Sequence, residues 1–207
     1  YIFVGDFVDR GDKNAEVLEI IFSIMGKKNV VLLEGNHEIP LRQWANGTSI
    51  RSGEFNRYTK PELEDKKVSI KKTKTLVDMM LKTHFAYEYD GKKIFVTHGG
   101  ITKIPKTKYE IPMTQYIRGV GSYEVEIDRV FTELNQENEY QIHGHRNIHK
   151  FPIKAAKNSF NLEGRIEYGE NLRIVILNKE DGFVPIEVKN NHSSKRLQPG
   201  VKKEFNN

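Results

Sequence analysis

One pattern constrains this chain more than any other: four times a short apolar run ends and a cluster of charged or imidazole side chains follows at once. Residues 1–4 run into Gly5-Asp6, with Asp9-Arg10 just beyond. Residues 29–33 run into Glu34-Gly35 and then Asn36-His37-Glu38. Residues 92–97 lead to His98-Gly99-Gly100, and residues 139–142 lead to His143-Gly144-His145. Apolar runs of this length, rich in β-branched residues and bounded by glycine, read as buried strands. In an α/β sheet, ligands bind beyond the carboxyl ends of the strands. A single histidine after a strand is more often a packing or surface residue than a ligand. The fourfold recurrence is what points to a site.

Between the first two runs, Glu16, Val17, Ile20, Ile21 and Ile24 recur at helical spacing, with Asp12 as the expected N-cap and Gly26 as the stop. Strand, helix, strand predicts a βαβ unit with parallel neighbours. Residues 41–83 are polar and basic, broken by Gly47, Gly53 and Pro61. Leu76, Val77, Met79, Met80 and Leu81 predict a helix there, so this stretch reads as a mostly helical insertion at the site rim or a plain packing element. Asp90-Gly91 between two apolar runs is a hairpin signal. A helix is expected around residues 124–134, and strands over 139–142, 159–162, 171–177 and 183–188, the last pair joined by Asp181-Gly182. From residue 190 the chain turns polar and reads as a linker or the start of a further domain.

The chain has 207 residues, 37% of them hydrophobic and 29% charged, which suits one sizeable core. No stretch approaches the length of a membrane span, so no membrane partner is expected. The opening strand is too short for a signal peptide. There is no cysteine, which excludes disulfides and thiolate ligands. A reducing compartment is compatible with that, and the cytoplasm is the expected location. The formal charge of +5 permits an anionic partner or describes a solvated basic surface. The first residue is Tyr and the chain opens in mid-strand, which reads as a piece of something longer.

Taken together, GDFVDRG (residues 5–11), GNHE (35–38), THGG (97–100) and GHR (144–146) resemble the calcineurin-like metallophosphoesterase superfamily in order and spacing. The resemblance covers roughly residues 1–188. It implies an α/β fold, the four-layer α/β/β/α sandwich with a mostly helical insertion, over residues 1–189. It implies two divalent metal ions, Mn²⁺ first, with Fe, Zn²⁺ or Ni²⁺ as alternatives. Asp6 looks like the carboxylate bridging the metals, and Asn36, His98 and His145 look like the other ligands of the second. His37 looks like the general acid, Asp9 its orienting partner and Arg10 a phosphate clamp. The implied reaction is direct hydrolysis by a hydroxide bridging the metals, with no covalent phosphoenzyme. In the family the first metal also takes Asp and His from a D-x-H motif, and no D-x-H occurs here. The chain by itself is therefore expected to be weak or inactive unless an upstream segment supplies that motif in the intact protein. Asn147 stands where some members carry a further histidine.

Other residues are open to two readings. Arg118 and Arg146 are candidates for binding substrate phosphate, or for packing and surface pairing. Glu38 is expected beside the ligands rather than among them, and His143 in the core. His84 reads as structural, His149 and His192 as surface residues, and Met79-Met80 as core.

Two substrate branches compete. Residues 52–64, 101–123, 143–147 and 159–175 resemble stretches around the phosphatase module of bacterial and phage polynucleotide kinase-phosphatases. That implies a phosphorylated nucleic-acid end as substrate, RNA repair as the setting, and fused kinase and ligase domains in the parent chain. The alternative is a serine/threonine protein phosphatase acting on a phosphoprotein. A small-molecule or dinucleoside polyphosphate hydrolase stands behind both. A non-enzymatic reading, an inactive fragment or nucleic-acid-binding module, also stays open.

Overall fold

The computed structural model describes residues 1–107 and 109–191. They form two compact units, Tyr1–Leu81 and Lys82–Asn191. The expected linker from residue 190, and His192 within it, lie outside the described residues beyond residue 191.

The first unit is built on the predicted βαβ arrangement. β1 (Ile2–Phe3) and β2 (Val31–Leu32) are parallel, with Ile2 opposite Val31, and α1 (Asn14–Ile24) connects them. Leu33 extends this pairing to Leu81. The insertion is helical, as expected: α2 (Glu38–Ala45), a π-helical turn (Phe55–Thr59), α3 (Lys60–Asp65) and α4 (Ile70–Met79). Its apolar residues complete one core, in which Leu18, Leu41, Phe55, Leu63, Leu76 and Val77 are fully buried. Arg42 of α2 pairs with Glu34 and donates to the Val77 carbonyl of α4, which holds the two helices together.

Three sequence expectations are corrected here. The buried stripe of α1 runs through Leu18, Ile21 and Phe22, while Ile20 is exposed, because a residue one place off the stripe is carried about 100° around the helix. Asp12 does not cap α1. The N-cap position is Lys13, without a side-chain bond, and the Glu62 carboxylate of α3 receives the Ala15 N–H and the Asn14 side chain instead. A carboxylate near the positive helix end is favourable wherever in the sequence it comes from. Met80 is core, but Met79 is about half exposed at the end of α4.

The second unit is a mixed five-stranded sheet with helices. β3 (His84–Tyr89) and β4 (Lys92–Thr97) form the predicted hairpin, with left-handed Asp90 and Gly91 at its turn. β5 (Glu139–His143) lies parallel to β4, β7 (Ser159–Asn161) parallel to β5, and β6 (Lys154–Ala156) antiparallel at the edge. α5 (Met113–Arg118), which has no periodic signal in the sequence, and α6 (Ile127–Leu134) lie in the connection between β4 and β5. β8 (Asn171–Asn178) and β9 (Gly182–Lys189) form the second predicted hairpin. Phe183 of β9 packs against Phe160 and Tyr140 of the larger sheet. No helix among the described residues is long and apolar enough to cross a membrane.

A buried polar hub joins α6 to β5 and β7. Asp128 accepts from Ser159 Oγ at 2.5 Å and from Asn161 Nδ2 at 3.4 Å, and faces His143 Nε2 at 3.0 Å. His143 is fully buried, as expected. Burial works to raise the Asp128 pKa, but the charge and hydrogen bond of His143 and the other donors outweigh it and hold the pKa below the usual range. The stability this gives is present above the unfolded-state value of about 3.9 and is lost as pH falls through the folded value. Asp128→Asn should therefore lower stability by about 3 kcal/mol at neutral pH. Denaturant melts at pH 7 and below pH 4 should show the gap between variant and parent narrowing in acid.

Candidate metal and phosphate site

In the first unit the site is built on two loops that follow β1 and β2. The first carries an unusual run of left-handed residues: Gly5 (φ 93°), Asp6 (59°), Asp9 (72°) and Arg10 (56°). Such backbone is costly outside glycine, least so for Asp, and concentrates where function requires it. Gly5 is obligatory for a second reason, since a Cβ there would stand 2.5 Å from the backbone nitrogen of Gly35 in the other loop.

Glu38, the first residue of α2, holds the two loops together. Its fully buried carboxylate accepts the N–H groups of Asp6, Phe7 and Gly35, each at 2.8 Å. Asp6 Oδ1 in turn accepts the His37 N–H at 3.1 Å. Burial, then the charge of Asp6, pushes the Glu38 pKa up to about 7, against the pull of its three backbone donors.

Beside this lies the Asp9–His37 pair, with Asp9 Oδ2 2.8 Å from His37 Nδ1. The other Asp9 oxygen accepts from Thr59 Oγ1 at the end of the π-helical turn. His37 Nε2 is buried without a hydrogen-bond partner. Burial lowers the pKa of His37, but the bond to Asp9 and the charge of Asp6 outweigh it, despite Arg10, and leave it above its ordinary value. Glu54 accepts the Arg10 N–H at 3.2 Å. One of its carboxylate oxygens lies within 4.8 Å of a carboxylate oxygen of Asp9 and a ring nitrogen of His37.

In the second unit, His98 follows β4 and His145 follows β5, with ring centroids 5.1 Å apart. His98 is only 2% exposed, and its carbonyl accepts the Gly144 N–H at 2.9 Å. His145 is left-handed (φ 63°), and its Nε2 lies 2.6 Å from the Tyr123 hydroxyl.

Residues 1–177 match the family described as Calcineurin-like phosphoesterase. The chain belongs to that family.

With the family comes its α/β/β/α-type arrangement, a mixed sheet with flanking helices, as the sequence predicts. Among curated proteins, the chain is 36% identical over 114 residues to the serine/threonine-protein phosphatase with EF-hands 2 of Mus musculus. It is 35% identical over 107 residues to the Homo sapiens protein of the same name. These matches take in 54% and 50% of this chain but only 13% of each relative. Among solved structures, a provisionally named diadenosine tetraphosphatase superposes with a TM-score of 0.61 at 12% identity, over 91% of this chain and 79% of that one. A hypothetical protein of Pyrococcus horikoshii OT3 gives 0.50 at 17% identity, over 92% and 75%. At these identities the two structures speak for the fold.

A calcineurin-like phosphoesterase is expected to hold divalent metal, and the donors fit that expectation in kind. Asp6 and Asn36 in the first unit offer oxygens, while the second offers two adjacent imidazoles, one of them deeply buried. Oxygen and imidazole donors suit divalent first-row ions. Asn36 sits at the entry to α2, where its carbonyl accepts the Ile39 N–H. Arg118 ends α5 with an exposed side chain. Arg146 is corrected: its five N–H donors all go to backbone carbonyls, of Arg118, Gly119, Val120, Gly121 and Ser122. A guanidinium has five such donors, so none remains for phosphate. Sequence reading missed Glu54, Thr59 and Tyr123, because no motif surrounds them and only the backbone path brings them to Arg10, Asp9 and His145.

Glu38→Ala should orphan three backbone donors at once and cost about 2–4 kcal/mol. Hydrogen exchange should show the amides of Asp6, Phe7 and Gly35 losing protection. Unchanged exchange at those three positions would contradict the role of Glu38.

Proposed function

We propose that this chain carries the catalytic centre of a metal-dependent phosphoric ester hydrolase that removes terminal or cyclic phosphates from nucleic-acid ends. The observation that carries the hydrolase reading is the Asp9–His37 pair, with Nε2 buried and no protein partner. Asp9 takes Nδ1–H and fixes the ring, so Nε2 is the nitrogen that delivers a proton to the departing oxygen. The raised pKa of His37 favours the protonated form that this requires. Arg10 and Arg118 are assigned to the phosphoryl oxygens, for which the planar guanidinium is suited.

The reading requires residues 1–189 to act as one domain, with Asp6, Asn36, His98 and His145 sharing a divalent ion such as Mn²⁺. Bound metals supply Lewis acidity and a nucleophilic water at neutral pH. In the reaction a water oxygen bonds to phosphorus as that water gives up a proton to solvent, the ester P–O bond breaks, and the His37 proton passes to the leaving oxygen and is replaced from solvent.

Charge distribution supports a nucleic-acid substrate. Residues 51–74 hold eight basic and four acidic residues, so most of the net charge of +5 comes from this insertion. Seven of the eight basic side chains are exposed, among them Arg57, Lys66, Lys71 and Lys74. Such a patch can follow a phosphate backbone. A phosphoprotein substrate is the second reading, supported by the named activity of the two curated relatives.

The test offers the full-length protein, with Mn²⁺, a 3′-phosphorylated or 2′,3′-cyclic phosphate oligonucleotide and a phosphoserine peptide at equal concentration. The oligonucleotide should have the higher kcat/KM, and preference for the peptide would overturn the substrate assignment. Asp6→Ala should abolish turnover of either. His37→Ala should lower kcat by about 10²-fold or more on alkyl esters. It should do much less to p-nitrophenyl phosphate, whose leaving group needs no proton.

A further inference from the structure

We propose that Tyr123 is a positioning residue for His145, fixing the ring tautomer so that Nδ1 is the nitrogen presented to metal. The inference rests on the assignment of His145 as a metal ligand made above.

The geometry begins with Arg146, next in sequence to His145. Its Nε donates to the Arg118 carbonyl at 2.7 Å. Its Nη1 donates to Val120 and Ser122 at 3.2 and 2.8 Å, and its Nη2 to Gly119 and Gly121 at 3.3 and 2.8 Å. Five successive carbonyls thus wrap one guanidinium, and the chain segment they belong to is fixed by it. Gly119 has to be glycine here, since it is left-handed (φ 80°) and a Cβ would stand 2.6 Å from Arg146 Nε. The next residue, Tyr123, lays its ring over the same guanidinium, 4.6 Å from centroid to Cζ. That contact directs the phenol back toward the start of the circuit, where its hydroxyl meets His145 Nε2 at 2.6 Å.

This bond has a chemical consequence. A neutral imidazole has one protonated and one unprotonated nitrogen, and a metal takes the unprotonated one. Nε2 is engaged by the phenol, so the metal-binding form has Nε2–H donating to Tyr123 Oη and the Nδ1 lone pair turned to the ion. Partners of this kind orient ligand rings, and their loss typically weakens metal binding by about 10- to 100-fold.

A merely structural role would involve the aromatic ring, which covers Arg146, rather than the hydroxyl. Tyr123→Phe keeps the ring and removes only the hydroxyl, and Tyr123 is 45% exposed, so the fold should survive. Two readouts decide the matter. In ¹H–¹⁵N spectra of the metal-free protein, His145 should be the Nε2–H tautomer, and Tyr123→Phe should lose that preference with an unchanged melting temperature. Mn²⁺ titration should give a Kd weakened by about 10- to 100-fold in the variant. An Nδ1–H tautomer in the parent, or the same tautomer and Mn²⁺ affinity in both proteins, would overturn the proposal. If the parent protein binds no Mn²⁺, the ligand assignment of His145 falls with the hydrolase reading, and the tautomer spectra still decide whether Tyr123 sets the ring.

Discussion

The buried carboxylate of Glu38 is the interaction on which the first unit depends. β1 and β2 are only two residues long, too short to fix the loops that follow them by ladder hydrogen bonds. The loop after β1 contains left-handed residues, and the amides of Asp6 and Phe7 there and of Gly35 in the loop after β2 all find their acceptor in Glu38. Buried amides require partners, and one side chain satisfies three of them across two loops. Because Asp6 returns a bond to the His37 amide, the segment carrying Asp6 and the segment carrying His37 cannot shift independently. The close approach of Gly5 to Gly35 then follows from the same clamp.

The helical insertion is part of this construction rather than an appendage to it. Glu62 caps α1, Glu54 takes the amide of Arg10, and Thr59 bonds the Asp9 oxygen that His37 leaves free. Three polar residues from one 9-residue stretch, with Phe55 and Leu63 buried beside them, tie the loop after β1 to the π-helical turn and α3. A π-helical turn widens the helix by one residue per turn, and such turns recur at functional sites. Thr59, the last residue of this one, is the residue that bonds Asp9. Seven of the eight basic side chains in residues 51–74 stay exposed, so one segment supports the acid pair from within and presents positive charge outside.

In the second unit the organising groups are again polar and buried. Arg146 gathers the loop after α5, and Asp128 ties α6 to β5 and β7. Arg146 uses all five of its donors and Asp128 accepts from three side chains, which makes a buried charge tolerable and makes its surroundings specific. His145 sits next to the first hub in sequence, and His143 belongs to the second. β5 ends at His143, which is buried in the core, while His145 lies two residues beyond it in left-handed backbone with its ring against Tyr123.

Sequence alone determined the βαβ unit, both hairpins and the strand ends that carry Asp6, Asn36, His98 and His145, because short apolar, β-branched runs and Asp-Gly turns are local signals. The family followed from four motifs whose spacing is itself local information. It also placed the Asp9–His37 pair, but not what holds that pair. Asp12 failed as a cap and Ile20 as a core residue because caps and buried faces are set by what packs against a helix, here Glu62 and the insertion. The role of Arg146 was beyond the sequence too, since a guanidinium's chemistry suits phosphate and carbonyl alike. Only the path of residues 118–122 around it decided between them, as only that path brought Tyr123 to His145.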